Sequence, residues 1–290
     1  MSERILITGA SGNVGTETIN ALTTRKTGGY EVLAGVRHPA EDRAGVPDSV
    51  TDLVRLDFTN PRTFDTALEG IDRVLLVRPP QLADVAKYFA PFVAAMQRAG
   101  TKQVVFLSLQ GVENNPLTPH AKIETLITEA GLPYTFLRPS FFMQNLSTTH
   151  RKEIRERNEI FVPAGKGKTS FIDVRDIGAV AALTLTSTGH INKAYELTGS
   201  EALSYYEIAD ILSDVLDRKI TYTDPSIFRF VWRKRIRENV SLGFVLIMVA
   251  LYSVAKAGRA AGLTDEIQRL LDRAPIAFRQ FAEDYRQVWK

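Results

Sequence analysis

The first apolar run of the chain passes directly into a glycine-spaced turn and then a helical pattern, and this junction constrains the fold more than any other feature. ILIT (5 to 8) leads into Gly9-Ala10-Ser11-Gly12-Asn13-Val14-Gly15. A strand, tight turn and helix in that order bring backbone N–H groups and the positive end of a helix dipole to one point, where an anion such as a nucleotide diphosphate is held. Gly9 would permit the turn, Gly12 the close approach of a ligand that a Cβ would block, and Gly15 the packing of helix on strand. Ser11 and Asn13 are expected to add side-chain hydrogen bonds, with Val14 near the base of the site. The spacing is GxxGxxG, not GxGxxG.

The remainder of the first half repeats the alternation. Short apolar runs at 31 to 36, 52 to 56, 73 to 77, 103 to 109 and 134 to 138 predict strands, and helical patterns cover 13 to 25, 61 to 68, 82 to 99 and 119 to 130. Strands separated by helices imply right-handed crossovers and a parallel sheet covered on both faces. Gly100 and Gly131 stand just past two of the helices, where a left-handed cap is easiest for glycine. After Arg138 the pattern weakens: 151 to 159 reads as a charged helix, 164 to 168 as a Gly and Lys loop, 173 to 185 as a helix, and the tail from 204 as mainly helical. The fold class expected is α/β, a Rossmann-type doubly wound parallel sheet with a smaller, mainly helical C-terminal lobe. The core would span 1–150 with 170–200 packing back on it, and the lobe 151–169 and 201–290.

Composition excludes several classes. A chain of 290 residues, 44% hydrophobic, can bury roughly three quarters of its unfolded surface. It has no Cys, which removes disulfides, thiol nucleophiles and thiolate metal sites and suits a reducing compartment, so a cytoplasmic location is expected. Its 36 basic residues against 33 acidic ones give a net charge of +3, too little for a global field that attracts nucleic acid. The N-terminal segment MSERILITGA does not read as a secretion signal. The most apolar stretch, Leu242 to Ala255, is shorter than the roughly 20 residues a membrane span needs and reads as a buried helix. His38, His120, His150 and His190 are scattered, and no metal site is expected. Phe228 to Arg237 (FRFVWRKRIR) interleaves aromatic and basic residues as a nucleic-acid surface would, but reads as a lobe helix with one apolar and one basic, solvated side. No nucleic-acid partner and no membrane span are expected.

Arg37 ends the second strand about twenty residues beyond Gly15, where an NAD-selective site places Asp or Glu on the ribose 2′-hydroxyl. A guanidinium there can grip a 2′-phosphate bidentately and stack on adenine, so NADP(H) is the cofactor preferred, with NAD(H) as the alternative. The competing reading is an exposed Arg paired with Glu41 or Asp42. Asp57 and Phe58, closing the third strand, lie at adenine height; Asp57 would accept the adenine amino group or cap the next helix.

The runs ITGASGNVG, VRHP, AGLPYTFLRPSFFMQNL, FIDVRDIGAVAALTL, YELTGSEALSYYEIADIL and APIAFRQFAEDY resemble the NmrA-like branch of the atypical short-chain dehydrogenase/reductases. That branch includes redox-sensing regulators, quinone reductases and isoflavone-reductase-like enzymes. The resemblance implies a Rossmann domain that binds NADP(H) or NAD(H), with a small C-terminal lobe closing the substrate cleft. It places the nicotinamide beside Ser108 and Leu109, beside Lys122, and against Arg138-Pro139-Ser140-Phe141-Phe142. Val77-Arg78-Pro79-Pro80 departs from it, since relatives often carry small residues beside the cofactor ribose here; Val77 is expected at the cofactor, and Arg78 as either a pyrophosphate contact or a lid over the site. Asp173, Arg175 and Asp176 become structural on the same ground.

Classical relatives use Tyr-xxx-Lys, but Thr118 stands four before Lys122 and is too weak an acid to replace a phenol. Isoflavone-reductase-like relatives lack the Tyr and use the Lys, which makes Lys122 a catalytic candidate; the quinone reductase branch carries His and Glu, matched by His120 and Glu124. These two, four apart on one helix face, would hydrogen-bond and raise the His pKa toward a proton relay, or satisfy each other at the surface. Lys122 is roughly 200° round the helix from His120, so only one of them would act. A quinone suits a site without the Tyr, because its reduced anion needs little enzymatic acid. Phe141, Phe142, Met143 and Asn145 would give a flat wall with one polar handle for such a planar acceptor, unless the aromatics are core. Two functions follow: an NADPH-dependent oxidoreductase acting on a quinone or similar planar carbonyl, or a non-catalytic NAD(P) redox sensor that regulates a protein partner.

Overall fold

Parallel strands β1 (Glu3–Thr8), β2 (Tyr30–Val36), β3 (Asp52–Arg55), β4 (Arg73–Val77), β5 (Gln103–Leu107) and β6 (Tyr134–Pro139) build the central sheet of the computed structural model, which describes residues 2–25 and 29–290. β7 (Glu159–Phe161) and β8 (Lys168–Thr169) lie outside it, and β9 (Lys193–Leu197) completes it in the order β3-β2-β1-β4-β5-β6-β9. All six neighbouring pairs are parallel. The chain direction of growth reverses between β1 and β4, and sheets of this kind take their ligands outside the strand carboxyl ends at that reversal.

The central strands are apolar without alternation because helices cover both faces. Ile5, Leu6 and Ile7 of β1, Val74 to Leu76 of β4 and all of β5 are buried, whereas the edge strand β3 exposes Asp52 and Arg55. On one face Leu6, Leu33, Leu76 and Phe106 pack with Phe64, Phe89 and Phe92. On the other lie the helices Asn13–Thr24 and Val174–Thr186, which touch so closely that a Cβ on Gly178 would stand 2.6 Å from the Glu17 carbonyl carbon. The helical pattern at 82 to 99 is two helices, Val85–Tyr88 and Ala90–Arg98, with Pro91 in the first turn of the second. A proline there starts a helix readily but cannot continue the one before it. The 61 to 68 pattern is likewise a 3₁₀ turn, Pro61–Thr63, followed by the short helix Phe64–Ala67.

The chain divides into two units, Met1–Pro139 with Val174–Leu197 and Ser140–Asp173 with Thr198–Lys290. The first boundary falls at Pro139 and not after residue 150, and residues 170–173 and 198–200 also belong to the second unit. Local bonding explains the shift. Ser170 donates to Ser140 Oγ at 3.0 Å, the Met143 N–H donates to the Ile172 carbonyl at 2.8 Å, and Met143 and Leu146 join the second unit's core. Within that unit the helix Tyr205–Leu216 starts with a capping box between Ser204 and Glu207.

The helix Leu242–Lys256 departs from its expected burial. Only Val245, Met248, Tyr252 and Ala255 are buried, at helical spacing, and the other side is exposed. Among the described residues no helix is long and apolar enough to cross a membrane.

Candidate functional site

The glycine turn adopts the geometry that its spacing requires. Gly9 has φ +64°, and a Cβ there would meet Val77 Cβ at 3.3 Å. The Gly12 N–H donates to the Gly9 carbonyl at 2.9 Å, closing the turn. Gly12 is also the residue ahead of the helix Asn13–Thr24 and has no side chain to cap it, so the first N–H groups of the helix have no cap from their own turn. A Cβ on Gly15 would stand 2.2 Å from the Gly9 carbonyl oxygen, which seats the helix on the turn. Ser11, Gly12 and Asn13 are exposed and Val14 is buried beneath them. Two anchors escape a reading of the motif alone: Thr8 Oγ1 accepts the Val77 N–H at 2.8 Å, tying the ends of β1 and β4, and Thr16 donates to the Ala10 carbonyl at 3.1 Å.

Arg37 is exposed just past β2 and has no carboxylate within ion-pair distance among the described residues. Asp42, a suggested partner, instead accepts the His38 N–H at 2.9 Å. Asp57 does not cap the next helix, where Asn60 is the cap and accepts the Arg62 N–H; its Oδ1 closes a local turn instead, accepting from the Thr59 N–H at 2.8 Å and from the Thr59 hydroxyl at 2.7 Å. Phe58 packs its ring against Phe64, Phe89 and Phe92, so its side chain is core and only its backbone is left for a ligand.

Beside the turn, Val77 and Leu107 are register partners, which sets Arg78 next to Ser108 at the carboxyl edge. The Arg78 guanidinium donates through Nη1 to the carbonyls of Pro79, Pro80 and Leu82 at 3.0 to 3.2 Å, fastening its own loop, and burial lowers its pKa. The His120 ring lies 6.1 Å from the ring of Phe106, two residues before Ser108. Burial first, and the charge of Arg78 second, push the His120 pKa down to about 3. Ser108 Oγ, His120 Nδ1 and Arg78 Nε are all buried without a hydrogen-bond partner. Unpartnered buried polar atoms are uncommon in native proteins, and two at the sheet edge with a third on the helix Pro119–Glu129 suit a polar ligand laid along that edge. Pro139 is buried at the end of β6, where its carbonyl accepts the Gln110 N–H at 3.0 Å.

The helix Pro119–Glu129 corrects one expectation. Glu124 does not bond His120; Arg138 on β6 takes both its oxygens, at 3.1 Å through Nε and 2.7 Å through Nη2, and that pairing raises the Arg138 pKa. With its carboxylate engaged elsewhere, Glu124 cannot lift the His120 pKa, which moves the opposite way. Thr118 accepts the Ala121 N–H at 3.2 Å and donates to the Asn115 carbonyl at 3.0 Å, so it caps this helix. Lys122 is exposed on a different side from His120.

In the second unit, Phe141 meets Phe171 edge-on at 6.3 Å between centroids and Phe142 bridges to Ile172; both are half-buried. Asn145 is exposed, whereas Met143, 1% exposed, packs in the core and presents no surface to a substrate. Asp173 accepts from Gln144 Nε2 at 2.8 Å, with both residues buried.

The family model described as "NmrA-like family" matches residues 1–256. A curated relative, the NAD(P)H azoreductase of Xenophilus azovorans, is 33% identical over 291 residues, 96% of each chain. Among solved structures, the Citrobacter sp. triphenylmethane reductase complexed with NADP(H) has a TM-score of 0.85 at 24% identity, covering 98% of this chain and 100% of that one. An NADPH-dependent quinone oxidoreductase of Escherichia coli, complexed with NADPH, has a TM-score of 0.86 at 23% identity, covering 99% and 100%. With the family model spanning most of its length and a relative at one-third identity end to end, the chain belongs to the NmrA-like family.

Proposed function

We propose that this protein is an NADPH-dependent oxidoreductase that passes hydride to a quinone or a similar planar carbonyl acceptor. The observation that carries the reading is the uncapped glycine turn together with buried, unpartnered Arg78 Nε and Ser108 Oγ at the carboxyl ends of β4 and β5 and a third such atom, His120 Nδ1, on the helix Pro119–Glu129. The azoreductase relative supports the same chemistry by its NAD(P)H dependence.

In this reading the N–H groups of Gly12, Asn13 and Val14 hold the diphosphate, with Ser11 and Asn13 side chains beside it. Arg37, free of a carboxylate partner, grips the 2′-phosphate and gives NADPH preference over NADH. The free oxygen of Asp57 faces adenine. Val77, Arg78, Ser108 and Pro139 line the ribose and nicotinamide, and Lys122 contacts ribose or amide. The bound nicotinamide supplies the hydride. No residue supplies a dedicated acid: Thr118 is held as a helix cap, and His120, neutral throughout the physiological range, is left as an N–H donor. An acceptor whose reduced form is a stabilised anion collects its proton from water, which is why a quinone fits better than a simple ketone. Phe141, Phe142 and Asn145, which follow β6 in the chain, are the acceptor contacts, with Met143 behind them.

The test is consumption of NADPH in the presence of a panel of quinones, with Lys122→Ala and His120→Ala in parallel. Turnover with quinones, reduced in Lys122→Ala more than in His120→Ala, is the expected result. Tight NADPH binding with no turnover on any acceptor overturns the catalytic reading in favour of a redox sensor.

A further inference from the structure

The oxidoreductase reading leaves one surface of the second unit unused. The helix Ile227–Trp232, the π turn Arg233–Arg237 and the helix Leu242–Lys256 pack against one another. They expose Phe228 at 81%, Ile236 at 66% and Leu246 at 55%, together with Trp232, Ile247 and Leu251. Isolated exposed apolar side chains are ordinary, but a group of this size on adjoining elements marks an interaction face.

Charge on the same elements identifies the partner. Between residues 226 and 264 the chain carries seven Lys or Arg and one acidic residue, Glu238. Glu238 is engaged by Arg157, Arg233 and Lys234. Arg229, Arg235 and Arg237 are exposed with no carboxylate in ion-pair distance among the described residues, and the Arg237 guanidinium lies 5.1 Å over the Trp232 ring. A two-fold contact through this face would offer the arginines only the same face of a second copy, whose one acidic residue, Glu238, is already engaged. A nucleic acid would meet the arginines but leave Leu246, Ile247 and Leu251 in water. An anionic phospholipid bilayer satisfies both: apolar side chains enter the boundary between headgroups and acyl chains, Trp sits at headgroup level, and arginines meet lipid phosphates. The 15-residue helix Leu242–Lys256 is too short to span and would lie in the plane of the surface.

We infer that this face seats the protein on an anionic bilayer surface. The full chain is titrated with vesicles of phosphatidylcholine alone and of phosphatidylcholine with phosphatidylglycerol, by sedimentation and by tryptophan emission. Trp289 is fully buried, so a blue shift reports Trp232. Expected is binding to the anionic vesicles only, lost at high salt. Each arginine is expected to contribute about fivefold, so Arg229→Gln/Arg235→Gln/Arg237→Gln should weaken binding on the order of a hundredfold, and Leu246→Asn/Leu251→Asn should abolish the emission shift. All five positions are exposed, and unchanged thermal melts establish that both variants fold. Absence of binding, equal binding to neutral vesicles, full binding by the arginine variant, a dimer dispersed by Leu246→Asn/Leu251→Asn, or duplex DNA bound in place of vesicles would each overturn the inference.

Discussion

Gly12 and Gly15 stand three residues apart in the same turn, and the account assigns them opposite roles that alanine substitution can separate. A Cβ on Gly15 would be 2.2 Å from the Gly9 carbonyl oxygen and 2.8 Å from Ala10 Cα. Both are backbone atoms, so the helix Asn13–Thr24 must retreat by about 1 Å to restore normal contact. It has little room, because its other side packs on the helix Val174–Thr186 at Gly178. Overpacking of this kind costs about 1–3 kcal/mol, and at roughly 2–4 °C per kcal/mol Gly15→Ala should lower the melting temperature by about 2–12 °C. Gly12 is different. Its φ of −89° and ψ of 165° suit alanine, and the added Cβ would meet only the Gly9 carbonyl oxygen, at 3.2 Å. Gly12→Ala should therefore melt within about 2 °C of wild type. In the proposed mode of binding, the new methyl group projects at the point where the diphosphate approaches backbone N–H groups. Charge-assisted hydrogen bonds of that kind are worth about 1.5–3 kcal/mol each, so NADPH affinity should fall about tenfold to a hundredfold. Thermal melts and NADPH fluorescence titration are the two assays. Wild-type affinity in Gly12→Ala, or wild-type stability in Gly15→Ala, would refute the reasoning.

Two further predictions concern the charges behind the site. Arg138→Met leaves the buried carboxylate of Glu124 without its bidentate partner and should cost about 3 kcal/mol by urea denaturation, while Arg138→Met/Glu124→Met should cost less than either single change; a double variant as unstable as the sum of the two would contradict this. His120, with its pKa lowered to about 3, adds stability that is fully present above the unfolded value of about 6.5 and is lost as pH falls toward 3, because only the unfolded chain takes up the proton in that window. His120→Phe should thus flatten the loss of stability between about pH 6.5 and 4 by up to ~1.4 kcal/mol per pH unit, and an unchanged pH slope in the variant would remove the assignment.

What could be read in advance depended on whether the relevant contacts are local. The glycine turn is a matter of seven consecutive residues: Gly9 takes the positive φ and Gly15 the close backbone approach that the spacing predicts. Most of the parallel sheet is legible because the central strands β1, β4 and β5 carry near-continuous apolar runs, whereas β9, KAYEL, carries charged residues and gives no such signal. The four-residue spacing of His120 and Glu124 on one helix predicts a pair, but the partner of Glu124, Arg138, comes from a neighbouring strand and gives no short-range signal. Thr8 was invisible for the same reason, since its value lies in a bond to Val77 across the sheet. The boundary at Pro139 rests on bonds from Ser140 and Met143 to residues about thirty positions away. The helix Leu242–Lys256 was expected to be buried because hydrophobicity is high on every side, and no periodicity distinguished the packed side from the exposed one.

The central claim is that the first turn holds the diphosphate of a pyridine nucleotide and Arg37 holds the phosphate on its adenosine half. Calorimetric titration of wild type and Arg37→Asp with NADPH and NADH tests both parts at once. Wild type should take up NADPH more tightly than NADH, and Arg37→Asp should lose about tenfold to a hundredfold in NADPH affinity while retaining NADH. Failure of wild type to take up either nucleotide at millimolar concentration would contradict the account, and equal affinities for both nucleotides in both proteins would remove the role of Arg37.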